Sequence, residues 1–272
     1  MKQTTRLACA LVSFVGLVPL VTEGCSDTAA SGDAGPATSA SAQPTGAAPP
    51  QPSASTSAPP QPTDGGADAS PSCDVALDAA LKPIDTVSTG AVTVLEESGG
   101  ARLLFVDATA GGPAAASTNP RVYLDLGTGR RVEVSDKAAR TSSGWDLALE
   151  RAVIFTNSGH GGPGVGSAVY VAKPFADVTA ADAGGKTFPT ERFVDERCAP
   201  ILDPGGALKT SFDGWYDYDA ATNKVTPKTG TFLVKGAKGA LYGVAVTQYY
   251  ATSDGGGPGA AGANYTLRVK PL

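Results

Sequence analysis

The residue best suited to chemistry in this sequence is His160, the only histidine in a chain of 272 residues. It lies in the glycine-rich loop 159–166, which reads Gly-His-Gly-Gly-Pro-Gly-Val-Gly. A neutral imidazole is a common metal ligand, and the ordinary pKa of histidine leaves the ring mostly neutral at pH 7. The glycines would let the backbone approach a flat ligand closely. His160 is therefore a candidate metal ligand, and a loop histidine without any ligand is the alternative.

Aromatic side chains that could stack on a planar ligand are concentrated near the C-terminus. The tyrosines concerned are Tyr216, Tyr218, Tyr242, Tyr249 and Tyr250. Because neighbouring residues of a strand point to opposite faces, one member of the Tyr249–Tyr250 pair is expected in the core. The other member is then available to a ligand. Trp145 and Trp215 are expected to anchor the core.

The patterns that would indicate an enzyme are weak. The sequence has no Gly-x-Ser-x-Gly segment. A Cys-His dyad is not expected, because there is one histidine and the cysteines are better explained as a lipid site and a disulfide. The glycine-rich loop lacks the Gly-Lys-Ser/Thr ending of a phosphate-binding loop. Asp213, Asp217 and Asp219 do not follow the spacing of a calcium-binding EF-hand loop and are typical of turns. We predict a protein that is not an enzyme. A hydrolase with paired carboxylates is the alternative, since distances between carboxylates are not visible in a sequence.

The elements that position these residues are predicted to be strands. Apolar residues alternate from Trp145 to Phe155, with Arg151 as the exception, which predicts one strand whose apolar side chains share a face and which leads into the glycine-rich loop. Residues 121–126 and 130–134 flank Gly-Thr-Gly and predict a hairpin. Only residues 74–82 have helical spacing. The sequence therefore predicts an all-β, antiparallel, sandwich or barrel-like fold with one short N-terminal helix.

Residues 1–24 have the pattern of a secretory signal. Lys2 and Arg6 precede an apolar run over 7–21, which is too short and interrupted for a comfortable membrane span. A glycine followed by Cys25 resembles the site at which bacterial lipoproteins are cleaved and lipidated, so we expect a lipid on Cys25. Ordinary secretion, with Cys25 as an unmodified thiol, is the alternative.

Residues 25–72 are predicted to tether the anchor to the folded domain, 73–272. After Cys25 the segment has four aspartates among Ala, Ser, Pro, Thr, Gly and Gln, and it lacks aromatic and large aliphatic residues. Such a composition cannot bury enough apolar surface to offset the entropy of ordering. A tether between an anchor and a domain supports the lipoprotein interpretation.

The charge balance gives no sign of a nucleic-acid partner. The chain has a formal net charge of −5, and removing the signal and the tether leaves about −2 for the domain. No run of basic residues occurs. We expect contact with a membrane through the lipid anchor only.

Cys73 and Cys198 are the cysteines of the predicted domain. Export would bring them into an oxidising environment, where a pair of cysteines usually forms a disulfide. The bond would join the start of the domain to its middle. They are too few for a zinc site and lack Cys-x-x-Cys spacing. Two separate buried thiols are the alternative.

Four blocks of this sequence carry a family resemblance. They are residues 123–134, residues 145–159 with Trp-Asp-Leu-Ala-Leu and Thr-Asn-Ser-Gly, residues 214–227 with Gly-Trp-Tyr-Asp-Tyr and Val-Thr-Pro, and residues 242–250 ending in Tyr-Tyr. In type and order they resemble the YFSLxTGxxV, WDIAF…TNSG, GWYxY…xxTP and YAKLxxxSYY blocks of the HmuY family of bacterial haem-binding lipoproteins. The resemblance covers roughly residues 120–270.

The resemblance implies an all-β protein anchored at the cell surface that captures haem and passes it to an outer-membrane receptor. Characterised members hold the iron by two axial histidines or methionines from different loops. This sequence departs from that pattern, because its one methionine, Met1, would be lost with the signal. His160 is then the candidate axial ligand. Tyr249 or Tyr250, a water molecule or a histidine of a partner could supply the other position.

Two functions follow from these observations. The first is an extracytoplasmic, HmuY-like lipoprotein of the outer membrane or cell surface that binds haem, or a related planar ligand, for uptake. The second is a surface adaptor or protein-binding module on the same fold, which the missing second histidine or methionine favours.

Overall fold

The computed structural model describes residues 72–109, 111, 115 and 118–272. The predicted signal, Cys25 and all of the predicted tether except Ser72 lie outside the described residues. Among the helices of the described part, none has the length and apolar character needed to span a bilayer.

The described chain contains two short α-helices, two short 3-10 helices and twelve strands. The α-helices are α1 (Asp74–Leu81) and α2 (Asp136–Ala139), and the 3-10 helices span Phe175–Asp177 and Ala180–Ala183. The strands are β1 (Val92–Ser98), β2 (Ala101–Asp107), β3 (Val122–Asp125), β4 (Arg130–Arg131), β5 (Leu147–Glu150), β6 (Val153–Thr156), β7 (Ser167–Val171), β8 (Tyr216–Asp219), β9 (Lys224–Pro227), β10 (Thr231–Lys235), β11 (Leu241–Gln248) and β12 (Asn264–Pro271).

The strands form three antiparallel sheets. The larger has the order β1-β2-β12-β11-β10-β7, the smaller has the order β4-β3-β5-β6, and β8 pairs with β9 alone. The all-β antiparallel prediction is therefore confirmed, as is the hairpin formed by β3 and β4. The one-turn helix α2 was not predicted, because four residues are too few to give a periodic pattern.

The main core lies where the two larger sheets contribute apolar side chains to one cluster. Leu124 and Leu147 of the four-stranded sheet belong to the same buried cluster as Val234 and Leu267 of the six-stranded sheet. Alternate residues point to the other face. There Tyr123, next to Leu124 in β3, joins a second cluster with side chains of α1. This layering gives the sandwich its two buried faces.

The predicted single strand from Trp145 to Phe155 is wrong in one respect, since the structure has a hairpin there. Glu150 pairs with Val153, so a two-residue turn joins β5 to β6, and Arg151 has a φ of 51°. The turn breaks the period of two. Consequently Phe155, which pairs with Ala148, lies in the second cluster, whereas Leu147 and Leu149 lie in the main core.

The predicted disulfide is present. Cys73 is bonded to Cys198, 125 residues further along the chain. Cys73 immediately precedes α1, so the bond attaches this helix to the segment around Cys198.

Candidate functional site

The loop that carries His160 is fixed by the buried side chain of Asn157. Its amide nitrogen donates to the carbonyl oxygens of Ser142 and Trp145, both at 2.8 Å, and its Oδ1 accepts from the backbone nitrogen of Gly164 at 2.9 Å. A side chain at Gly162 would collide with this same amide. Here the glycine is needed so that the loop can fold onto Asn157, not so that a ligand can approach.

The ring of His160 contacts the segment that follows Glu191. Its Nδ1 accepts hydrogen bonds from the backbone nitrogens of Phe193 and Val194, at 3.0 and 3.4 Å. The backbone nitrogen of His160 donates to the carbonyl oxygen of Glu191 at 3.0 Å. Because backbone N–H groups only donate, Nδ1 is unprotonated and the neutral ring carries its proton on Nε2. The ring thus clamps the loop to residues 191–194.

The hydrogen bonds to Nδ1 oppose the use of His160 as a metal ligand. Ligation through Nε2 would require the proton to leave that nitrogen, and placing it on Nδ1 would break both backbone hydrogen bonds. Burial lowers the pKa of His160, and the charges of Arg192 and Arg140 lower it further. A neutral ring is therefore favoured, and the coordination of iron by His160 stays a prediction.

Glu191 is a buried residue of this region that no sequence pattern marks. Its Oε1 accepts from the backbone nitrogen of Thr156 at 2.8 Å and from the Thr156 hydroxyl at 2.9 Å, and its Oε2 accepts from the backbone nitrogen of Ser211 at 3.0 Å. Burial raises its pKa. These bonds join β6 to two irregular segments, so Glu191 holds the surroundings of His160 together.

Tyr249 and Tyr250 lie in an aromatic cluster around Trp215. Tyr249 is 7% exposed, and its ring centroid lies 5.7 Å from that of Trp215 and 5.0 Å from that of Tyr250. Tyr250 is half-buried, and its hydroxyl accepts from the backbone nitrogen of Val225 at 3.1 Å. Burial raises the pKa of Tyr249 to about 12. The expectation that one tyrosine of the pair belongs to the core is met by Tyr249.

The structure does not bring the predicted ligands together. Among the contacts of the described residues, none joins His160 to Tyr249 or Tyr250. His160 packs near Phe193, whose cluster lies on the other face of the four-stranded sheet. As iron ligands the two tyrosines also stay a prediction.

A cleft of about 880 Å³, here called the tyrosine cleft, lies beside the β8–β9 hairpin. Its aromatic lining consists of Tyr216, Tyr218, Tyr249 and Tyr250. Its charged lining consists of Asp203, Asp213, Asp217 and Arg151. In the described part of the chain, no group of three or more His, Cys, Asp or Glu side chains is placed to hold a metal ion.

A second cleft of about 670 Å³, here called the apolar cleft, lies at the end of β9. The segment after β7 and the segment after β9 contribute to its lining, together with β11 and β12. Its aromatic and aliphatic lining includes Tyr170, Phe175 and Val246. Its charged lining consists of Lys173, Lys228 and Arg268, with no acidic residue.

The cations of the apolar cleft differ in how strongly they are neutralised. Lys173 contacts Asp182 at 2.8 Å, and Lys228 contacts Asp217 at 3.4 Å. Among the described residues Arg268 has no ion pair, and its guanidinium lies 5.4 Å from the centre of the Phe175 ring. A cation over an aromatic face is a weak attraction that leaves the charge available to an anion.

No local sequence pattern marks this cleft. Lys173, Lys228 and Arg268 lie on three separate segments that meet only in the folded chain. Tyr170 is 38% exposed although it belongs to strand β7. This exposure is visible in the folded structure but not in the sequence.

Comparison with known proteins identifies relatives. The family model described as HmuY protein matches residues 117–265. Three solved structures are similar to this chain. A protein of Bacteroides vulgatus described as an HmuY-like haem-binding protein shares 18% identity with a TM-score of 0.43, covering 65% of this chain and 95% of that one.

The other two structures are comparable. A protein of Bacteroides fragilis described as a lipoprotein shares 16% identity with a TM-score of 0.40, covering 65% of this chain and 93% of its own. The apo HmuY analogue of Tannerella forsythia shares 12% identity with a TM-score of 0.40, covering 69% of this chain and 99% of that one. None of the curated proteins matches this chain. Since the family model spans more than half of the sequence, the chain belongs to the HmuY family.

Proposed function

We propose that this protein binds haem, or a closely related planar tetrapyrrole, in the apolar cleft, and that it captures this ligand without performing catalysis. The observation that carries the proposal is the combination of apolar walls with three cationic side chains and no acidic one. Membership of the HmuY family supports it, as does the volume of about 670 Å³, since ligand pockets commonly have about 300–1,000 Å³.

The residues of the apolar cleft fit the chemistry of haem. The macrocycle is flat and apolar, and Tyr170, Phe175 and Val246 supply apolar surface in the lining. The carboxylates on its edge need cations, and Arg268 is the cation of the lining without an ion pair among the described residues. Burial of the apolar ring with neutralisation at its edge is the usual arrangement of a small-ligand site.

A tyrosine that could supply an oxygen ligand for the iron lies in the same cleft. Tyr170 is part of the lining, and its hydroxyl donates to the carbonyl oxygen of Thr229, so iron binding by this oxygen would release the hydroxyl proton and break that hydrogen bond. Tyrosine is an established axial ligand of haem iron. Tyr170 is the residue we propose for this role, while His160, Tyr249 and Tyr250 are the alternatives that the sequence suggested.

The place of this function in the cell follows from the N-terminal segment. A lipid on Cys25 and the tether 25–72 would hold the domain at the outer membrane or cell surface. Haem captured there would be cargo to be passed to an outer-membrane receptor. These two statements rest on the sequence pattern and on the family.

A titration with haemin, followed by its Soret band, tests the proposal. We expect saturable binding by the purified protein, and a shifted band in the Tyr170→Phe variant, which retains the ring and loses the oxygen. The matched control is Tyr218→Phe, since Tyr218 is 56% exposed and lies outside the apolar cleft. The variant His160→Asn keeps an acceptor near the position of Nδ1 and removes Nε2, so we expect it to bind like the wild type.

The outcomes separate the candidate ligands from one another. A Soret band lost only in His160→Asn would contradict the assignment of Tyr170 and support the histidine. If haemin does not bind saturably to any form of the protein, the proposal is wrong and the surface adaptor remains. One observation favours this second function: the Nδ1 of His160 already accepts hydrogen bonds from the backbone nitrogens of Phe193 and Val194.

A further inference from the structure

We propose that the tyrosine cleft is a second ligand site and that its ligand is an organic ammonium compound. The cleft combines tyrosine faces with carboxylates in one space of about 880 Å³. This inference does not depend on haem binding, because the two clefts have different linings.

The tyrosines present the aromatic component of such a site. Tyr218 is 56% exposed, and Tyr216 and Tyr250 are half-buried, so all three have surface available to a ligand. Trp215 packs behind Tyr216, with ring centroids 4.7 Å apart, and fixes its position. Ammonium groups are attracted to the faces of aromatic rings, and sets of such rings are the usual way in which proteins bind quaternary ammonium ligands.

The carboxylates supply the charge. Asp213 has no ion pair among the described residues, and Asp203 uses one oxygen to accept from the backbone nitrogen of Ala207 at 2.9 Å. Burial raises the pKa of the Tyr216 hydroxyl, and the negative charges of Asp203 and Asp213 raise it further. With Asp217 and Arg151 included, the lining has three negative charges and one positive charge. A cation is therefore the complementary ligand.

The same lining disfavours other ligands. A calcium ion needs several oxygens converging at about 2.3–2.6 Å, and the described residues contain no group of acidic side chains so placed. A carboxylate-bearing ligand such as haem would meet aspartates of its own charge. A bulky cation with an apolar body satisfies both the spread of the carboxylates and the tyrosine faces.

The test uses choline as the probe and its uncharged isostere 3,3-dimethylbutan-1-ol as the comparison, with the whole protein observed by NMR. We expect saturable shifts of the Tyr216 and Tyr218 ring signals with choline, and binding of the isostere that is roughly tenfold weaker. Equal binding of the two compounds, or no saturable shift with choline, would overturn the proposal.

Two variants and a control locate the site. Asp213→Asn and Tyr218→Leu each alter an exposed residue of the cleft, so they should fold normally and bind choline several-fold more weakly. Glu196→Gln removes a carboxylate that is 91% exposed and lies outside the cleft, so it should bind like the wild type. An equal loss in Glu196→Gln would show that general charge attraction, not the cleft, accounts for binding.

Discussion

The apolar cleft and the tyrosine cleft both include residues of the β8–β9 hairpin, and their linings have opposite charge. The first has three cations and no acidic residue in its lining, and the second has three aspartates and one arginine. Because the two sites have opposite charge, each can select its ligand partly by charge. A ligand that enters the wrong site meets electrostatic repulsion as well as poor packing. Membership of the HmuY family does not tell which of the two clefts takes which ligand, whereas the charges of the two linings differ.

An ion pair joins the two clefts. Asp217 belongs to the tyrosine cleft and Lys228 to the apolar cleft, and they form an ion pair at 3.4 Å. Exposed ion pairs contribute about 0–1 kcal/mol. The pair therefore lowers the charge of both sites slightly, and a ligand that competes for one partner frees the other.

The largest effect is expected from reversing the charge of the apolar cleft. In the Arg268→Glu variant, a carboxylate replaces the cation without an ion pair and would face the carboxylates of the ligand. Affinity for haemin should fall roughly tenfold to a hundredfold, as measured by quenching of tryptophan fluorescence. Lys224→Glu, at the start of β9 and outside both linings, is the control. Equal losses in both variants would contradict the assignment of the cleft.

The complementary change is made in the tyrosine cleft. Combining Asp203→Asn with Asp213→Asn removes two of its three negative charges. Choline binding, measured by calorimetry, should weaken roughly tenfold, and haemin affinity should stay unchanged. A matching loss of haemin affinity would show that the two clefts do not act as separate sites.

A smaller effect is expected at the contact between the clefts. Asp217→Asn removes the partner of Lys228 and leaves that cation free for an anionic ligand. Haemin affinity should rise roughly two- to fivefold while choline affinity falls by a similar factor. Thr226→Ala, on the opposing strand and outside both linings, is the control. If the affinities for haemin and choline change in the same direction, the two clefts do not compete for charge through this ion pair.

The smallest effect concerns His160, which belongs to neither cleft. Its pKa is lowered in the folded protein, by burial first and then by Arg192 and Arg140. The unfolded chain therefore binds more protons, and the stability contributed by the neutral ring is lost as the pH falls below the unfolded pKa of about 6.5.

Thermal unfolding between about pH 7.5 and about pH 5.5 measures this contribution. The wild type should lose more stability on acidification than His160→Asn, which cannot gain a proton. Glu191 is present in both proteins, so its own titration cancels in the comparison. Parallel pH profiles would show that the clamp does not depend on the protonation of His160.

Much of the fold could be predicted because its signals are local. Alternation in β3 and the Gly-Thr-Gly turn predict the first hairpin of the smaller sheet, and the helical spacing of residues 74–82 predicts α1. The pairing of Cys73 with Cys198 followed from export and from the count of cysteines. The turn at Arg151 was not predicted, because this residue is a single exception in the alternation and an arginine with positive φ is uncommon.

The candidate site could be predicted only in part. The tyrosines of the β8 strand and the Tyr249–Tyr250 pair were selected from sequence, and the structure places them in one cleft. The glycine-rich loop was interpreted as room for a ligand, but Gly162 instead makes room for the side chain of Asn157. The cations of the apolar cleft meet through long-range pairing of β7, β10, β11 and β12, which no local pattern reveals.

The location of bound haem is the most direct test of the central claim, and NMR can measure it through the paramagnetic broadening that ferric haem causes nearby. With haemin added, we predict that signals of Tyr170, Phe175 and Arg268 broaden while those of Tyr218 and Phe193 stay sharp. Broadening centred on Tyr218 would place the ligand in the tyrosine cleft, and broadening centred on Phe193 would place it at His160. Either result would contradict the assignment of haem to the apolar cleft.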